Sequence, residues 1–158
     1  MNSSPAKSRK KKGRDRALSF RTEKQVGCPD MTLLPSLNNK AIVANLKDRL
    51  TNEIIYSTIG PVLVVCNPYK WLHIYDTNTM RKYVRRNRVD VPPHVFATAE
   101  AAYRSMISEE ENQCVIISGE SGAGKTEASK QIQNYIASVS SSGGNEGIDQ
   151  VKKMFLGE

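Results

Sequence analysis

No stretch of the 158 residues approaches the roughly 20 consecutive apolar residues needed to cross a bilayer. The amino terminus also lacks the apolar core of a secretory signal. Cysteine is sparse: Cys28, Cys66 and Cys114 are odd in number, far apart and without C-x-x-C spacing. That argues against a disulfide framework or a zinc site and leaves free thiols in a reducing cytosol as the simplest expectation. There are only two histidines, His73 and His94, neither with a partner at metal-ligand spacing, and no chemistry is assigned to them. The rest is ordinary: 39% hydrophobic and 25% charged residues, enough for one modest globular domain.

Charge is unbalanced at one end only. Residues 1–25 hold nine Lys/Arg against Asp15 and Glu23, and so account for the whole net charge of +7. The other 133 residues hold 14 basic and 14 acidic groups. With few apolar side chains, the first 25 residues cannot offset the entropy of ordering, so a disordered basic arm is expected. Arg9-Lys10-Lys11-Lys12 is compatible with a nuclear signal, a nucleic-acid contact, an anionic-lipid contact or a solvated arm. The solvated arm is the favoured reading. Attraction of residues 7–16 to an anionic membrane or cytoskeletal surface comes next, and nucleic acid is not an expected partner. Arg16-Ala17-Leu18-Ser19 is a weak kinase-site pattern, where phosphate would reduce the charge of the arm.

The folded part, residues 26–158, opens through the turn residues Gly27-Cys28-Pro29-Asp30. Ser36 to Asn39 supply helix caps. Ile42, Val43, Leu46 and Leu50 then share a helix face, with Lys47, Asp48 and Arg49 expected outward. Two β-branched runs, Ile54 to Ile59 and Val62 to Cys66, flank Gly60-Pro61 and read as strands. Val62-Leu63-Val64-Val65 is apolar throughout, which predicts a strand covered on both faces. Beyond it, the nine residues from Asn67 to Tyr75 gather Tyr69, Trp71, Tyr75 and Lys70 at a strand end, where ligands of open α/β sheets sit. An aromatic there either stacks on a base or packs at the core edge, and packing is the commoner use.

Asp76 or Thr77 caps a short helix with Met80, Tyr83 and Val84, which runs into a basic patch from Arg81 to Arg88, read as a solvated face. After Pro92-Pro93, a stripe of Ala99, Ala102, Tyr103, Met106 and Ile107 predicts a helix lying against the sheet. Glu109-Glu110-Glu111 read as surface residues.

The chain is organised around the stretch from Cys114 to Thr126. Gly119, Gly124, Lys125 and Thr126 fit G-x-x-x-x-G-K-[ST], the phosphate-binding loop. Val115-Ile116-Ile117 predicts a strand entering it. Ala128, Ile132, Tyr135 or Ile136, and Val139 predict an amphipathic helix leaving it. Successive loop N–H groups and the positive end of that helix suit phosphate oxygens. Lys125 is expected on the β- and γ-phosphates and the Thr126 hydroxyl on Mg²⁺. A hydrolase of this type also needs a strand-end carboxylate for Mg²⁺ and a group that positions water. No apolar strand ending in Asp follows Thr126, and the strand at Val62–Cys66 ends in Asn67. A flexible loop at Ser140–Gly147 and a helix from about Ile148 complete the expectation.

These residues resemble the myosin motor head. Gly119-Glu120-Ser121-Gly122-Ala123-Gly124-Lys125-Thr126 is similar to the myosin loop letter for letter. Asn67-Pro68-Tyr69-Lys70 with Tyr75 resembles the myosin purine-binding segment. Ile59–Leu63, Pro92–Phe96 and Glu111–Ser118 also look like the head, and the likeness spans Val26 to Lys153. A head that begins directly at Val26, behind a basic arm, is most similar to the short-tailed class I myosins. The resemblance implies an α/β, P-loop NTPase-type partial sheet with flanking helices: an incomplete fragment of a myosin head, truncated before switch I. It implies ATP and Mg²⁺ as cofactors, with Gly119 to Thr126 on the triphosphate and metal. Asn67, Pro68, Tyr69, Lys70 and Tyr75 would line the adenine pocket, and Ser140–Gly147 would match the loop that tunes nucleotide exchange. Both family switch motifs, N-x-x-S-S-R-F-G and D-x-x-G-F-E, are absent.

The implied parent protein is a cytoplasmic ATPase of the actin cytoskeleton, with the fragment alone expected to be inactive. The alternative is a small non-enzymatic nucleotide-binding or interaction protein with a polybasic anchor.

Overall fold

A computed structural model describes residues 26–141. The basic arm with its 7–16 contact, nearly all of the Ser140–Gly147 loop and the helix near Ile148 lie outside the described residues. Helix α1 runs Asn39–Thr51, followed by β1 (Tyr56–Ile59), β2 (Val62–Val65), α2 (Thr77–Arg81), α3 (Val95–Glu109) and α4 (Lys125–Ser141). Single 3₁₀ turns at Met31–Leu33 and Arg88–Asp90 complete the order.

Caps fix where the helices begin. Asn38, in extended conformation, accepts the Ala41 N–H at 2.9 Å, and Asp76 accepts the Thr79 N–H at 2.9 Å. His94 starts α3 with its ring, Nδ1 accepting the Phe96 N–H at 3.1 Å. β1 and β2 form an antiparallel hairpin in register Tyr56–Val65 through Ile59–Val62, closed by Gly60-Pro61.

The buried face of α1 is not the expected one. Arg49 is 4% exposed and Asn45 7%, whereas Val43 is 47% exposed. Four residues apart, Asn45 and Arg49 lie on one face and bind the segment that leads into the fold. The Asn45 side chain donates to Cys28 O at 3.0 Å and accepts from Cys28 N at 2.7 Å. Arg49 donates to Val26 O, Tyr56 O and Ser57 Oγ at 2.8–2.9 Å. Gly27 passes so close that a Cβ there would stand 2.7 Å from Asn45 Oδ1, at a φ of +61° that also favours glycine. A polar pair with main-chain partners thus takes the inner face from the aliphatic residues.

The core is built around the start of α3. Phe96, Val95 and Ala99 are buried with Tyr56, Tyr83, Ile132 and Tyr135. His94 lies among these rings, 4.7 Å from Tyr56, 5.0 Å from Tyr83 and 4.6 Å from Phe96 between centroids. The expected stripe of α4 is present, with Ile132 and Tyr135 buried and Ile136 and Val139 packed beside them.

Three expectations need correction. β2 is not covered on both faces: Val62 is 58% exposed and Val65 39%. Val115–Ile117 forms no strand among the described residues, and Ile116 is 86% exposed. The stripe of α3 is covered only in its first half, where α3 packs on α4; Met106 and Ile107 are exposed. The sheet is therefore a two-stranded hairpin with flanking helices. One physical reason covers all three: an apolar face marks where burial is favourable, and the described residues do not include a partner for each face.

Candidate functional site

The loop from Gly119 to Gly124 delivers the chain into α4 at Lys125. Gly122 and Gly124 hold φ of +78° and +92°, left-handed values that side chains rarely adopt. Apart from its two chain neighbours, nothing lies within 4 Å of where a Cβ on Gly124 would sit, so no other part of the described fold covers that side of the loop. Ala123 N–H closes a turn on Glu120 O at 3.2 Å, and Ala128 N–H makes the first bond of the helix back to Gly124 O at 3.0 Å. The N–H groups before Ala128 have no acceptor within the helix and point out of its positive end.

Lys125 is folded across this loop. Its Nζ donates to Gly119 O and to Glu120 O, each at 2.8 Å, which fixes a positive charge against the start of the loop. The Thr126 residue is exposed in the first turn. Open glycine backbone, unsatisfied amides and a fixed ammonium fit a bound polyphosphate. Thr126 supplies an oxygen donor of the type Mg²⁺ takes.

The Asn67–Tyr75 segment faces this loop across a cleft lined by Asn67, Pro68, Lys70 and Tyr75 on one side and Gly124 and Glu127 on the other. The cavity proper is about 90 Å³, against the ~300–1,000 Å³ of an ordinary small-molecule pocket. Among the described residues the cleft is therefore shallower than a pocket that encloses a small molecule. Asn67 Nδ2 donates to Gly122 O at 2.7 Å and joins the two sides. Lys70 is ion-paired with Glu53 at the surface. Tyr69 is 84% exposed, outside the lining, with a φ of +50°. Tyr75 is partly buried, its hydroxyl 2.9 Å from that of Tyr56 and its ring edge-on to Phe96; burial raises the pKa of its phenol. Ser121 is exposed and Ala123 partly covered within the loop.

α4 is held at the right depth by Glu100 of α3, which is 2% exposed. Its carboxylate accepts the Tyr135 hydroxyl at 2.8 Å and the Arg85 N–H at 2.7 Å. The basic patch is thereby tied to the core through its backbone. Two residues escape a motif reading: Glu100, hidden in a run of alanines, and Glu127, which lines the cleft and whose carboxylate accepts Gln131 Nε2 at 2.7 Å. The available signal for Glu127 is its place in the first helical turn, directly after Thr126.

The family model of the myosin head (motor domain) matches residues 28–158. The chain belongs to the myosin head family. It is 54% identical over 134 residues to Myosin-1 of Coprinopsis cinerea, covering 85% of this chain and 10% of that protein. It is 51% identical over 137 residues to Myosin IC heavy chain of Dictyostelium discoideum, covering 84% of this chain and 12% of that one. Myosin-1 of Aspergillus clavatus is 54% identical over 134 residues, with 85% and 11% covered. This myosin-head chain is class I-like and spans about a tenth of the length of these curated relatives. Among its described residues no helix is long and apolar enough to cross a membrane.

Proposed function

We propose that the chain is the ATP-binding part of an actin-based cytoskeletal motor, whose parent protein couples ATP hydrolysis to movement on actin filaments in the cytoplasm. What carries the reading is the open loop at Gly119–Thr126, with Lys125 held across it, in a chain of the myosin head family. Gly119, Glu120, Ser121, Gly122, Ala123 and Gly124 offer backbone to the phosphates. Lys125 neutralises their charge, and Thr126 holds Mg²⁺ through its hydroxyl. Pro68, Lys70 and Tyr75 form the base side of the site, Tyr69 is the exposed aromatic available to stack on the base, and Asn67 joins this side to the loop. ATP is favoured over GTP because the segment resembles a purine pocket of ATP motors and no guanine-selecting N-K-x-D occurs. When bound, the nucleotide and metal supply the scissile anhydride and its charge stabilisation. This chain supplies grip and orientation.

By itself the 158-residue chain is expected to be inactive as a motor. Its sequence holds neither switch motif, so groups that would position an attacking water are missing from it. ATP turnover by the 158-residue chain is therefore expected to stay flat when actin filaments are added, and acceleration would contradict the assignment as a part. In the parent motor, Lys125→Ala is expected to abolish actin-stimulated turnover. Full turnover in that variant would remove the loop from the mechanism.

A further inference from the structure

Asn67 stands between the two sides of the site, and its side chain is committed in both directions. Its Oδ1 accepts the Tyr69 N–H at 2.9 Å, and its Nδ2 donates to Gly122 O at 2.7 Å. The orientation of the amide is not arbitrary. A backbone N–H only donates and a carbonyl only accepts, so each neighbour selects its end of the Asn67 side chain.

The bond to Gly122 reaches further than one residue. The Gly122–Ala123 peptide is planar and trans, so fixing its carbonyl also fixes the direction of the Ala123 N–H. That N–H donates to Glu120 O, and the same oxygen accepts Lys125 Nζ, which also bridges to Gly119 O. A continuous path of polar contacts thus leads from the end of β2, through the loop, to the lysine. On the other side, Asn67 holds Tyr69 in its left-handed conformation. The Tyr69 hydroxyl lies 4.0 Å from where a Cβ on Gly122 would be, so both contacts of Asn67 converge on the same glycine.

We propose that Asn67 is a positioning residue for the phosphate loop, clamping the Gly122 carbonyl so that the loop and Lys125 keep their binding geometry, rather than a contact to the base. This rests on the nucleotide-site reading and assigns Asn67 a task on the phosphate side of it. Glycine at 122 makes the clamp necessary, because an unsubstituted residue in a loop otherwise samples many backbone states.

The test uses Asn67→Ser in the full 158-residue chain. A serine hydroxyl still accepts the Tyr69 N–H in the same kind of turn but is too short to reach Gly122 O. No charge is introduced. Without ligand, amide exchange at Ala123 and chemical labelling of the Lys125 amine are expected to rise roughly five- to tenfold, as one net hydrogen bond allows. Inorganic tripolyphosphate is expected to bind roughly tenfold more weakly, with the preference for ATP over GTP unchanged. Unchanged exchange and labelling overturn the clamp. So does a lost ATP preference with tripolyphosphate affinity intact, because that is the signature of a base contact. If the unaltered chain binds no tripolyphosphate, the nucleotide-site reading fails, while the exchange and labelling rates still decide whether the clamp exists.

Discussion

Arg49 carries a full charge into the interior, and no carboxylate forms an ion pair with it among the described residues. Burial lowers its pKa, yet a guanidinium keeps its proton. Its three acceptors are neutral oxygens at Val26, Tyr56 and Ser57. Arg49→Met removes every donor and leaves those oxygens unsatisfied, which is expected to cost about 3 kcal/mol or more. Arg49→Lys keeps the charge but offers no planar fork, so urea unfolding should show it recovering less than half of the loss. None of this is legible in the sequence, where Lys47-Asp48-Arg49 has the look of a solvated face. A charged residue is read as exposed unless its partners are known, and two of the acceptors are main-chain carbonyls that no motif marks.

His94 makes the opposite point about titration. Burial among aromatic rings pushes its imidazole down to about 4, and its Nδ1 needs a free lone pair to cap α3. The unfolded chain takes up this proton near the ordinary histidine value of ~6.5. Between those limits the unfolded state binds more protons than the folded one, so stability falls as pH falls through that window. The contribution is roughly 3 kcal/mol between pH 7 and pH 4. His94→Asn keeps a good capping oxygen and is expected to flatten that slope in urea midpoints at pH 7, 5.5 and 4.5. An unchanged slope would mean that other groups set it.

At the scale of elements, α4 was the most readable part of the chain. Its apolar period, its glycine lead-in and its packed stripe all agree with the structure, because local pattern and tertiary contact ask for the same face. What pins α4 to α3 was not readable. The Tyr135 hydroxyl meets Glu100 across 35 residues of sequence, and a lone glutamate among alanines gives no hint of a buried partner. Tyr135→Phe keeps the ring stacked on Phe96 but leaves a buried carboxylate oxygen bare. The expected cost is about 1–3 kcal/mol. A double-mutant cycle with Glu100→Gln should return a coupling of at least ~0.5 kcal/mol; additive effects would show that the two act separately.

At the scale of the whole molecule, the described residues display apolar faces that none of them covers. Val62, Val65, Ile116, Met106 and Ile107 are exposed, and the Val115–Ile117 run has no strand beside it among the described residues. The apolar patterns of β2 and of the loop's lead-in predicted burial that these residues do not provide, in a chain about a tenth as long as its relatives. Exposed apolar surface and unpaired edges favour association. Sedimentation of the isolated chain is expected to show self-association that grows with concentration. A strictly monomeric species over the same range would mean that these faces are protected in another way.

The most direct test of the nucleotide site is calorimetric titration of the 158-residue chain with Mg·ATP, alongside Lys125→Ala verified by circular dichroism to keep its helix content. The expected result is a saturable heat for the unaltered chain that disappears in the variant. Equal binding by both chains, or no binding by an unaltered chain that is folded, would contradict the assignment of Gly119–Thr126 as a phosphate cradle.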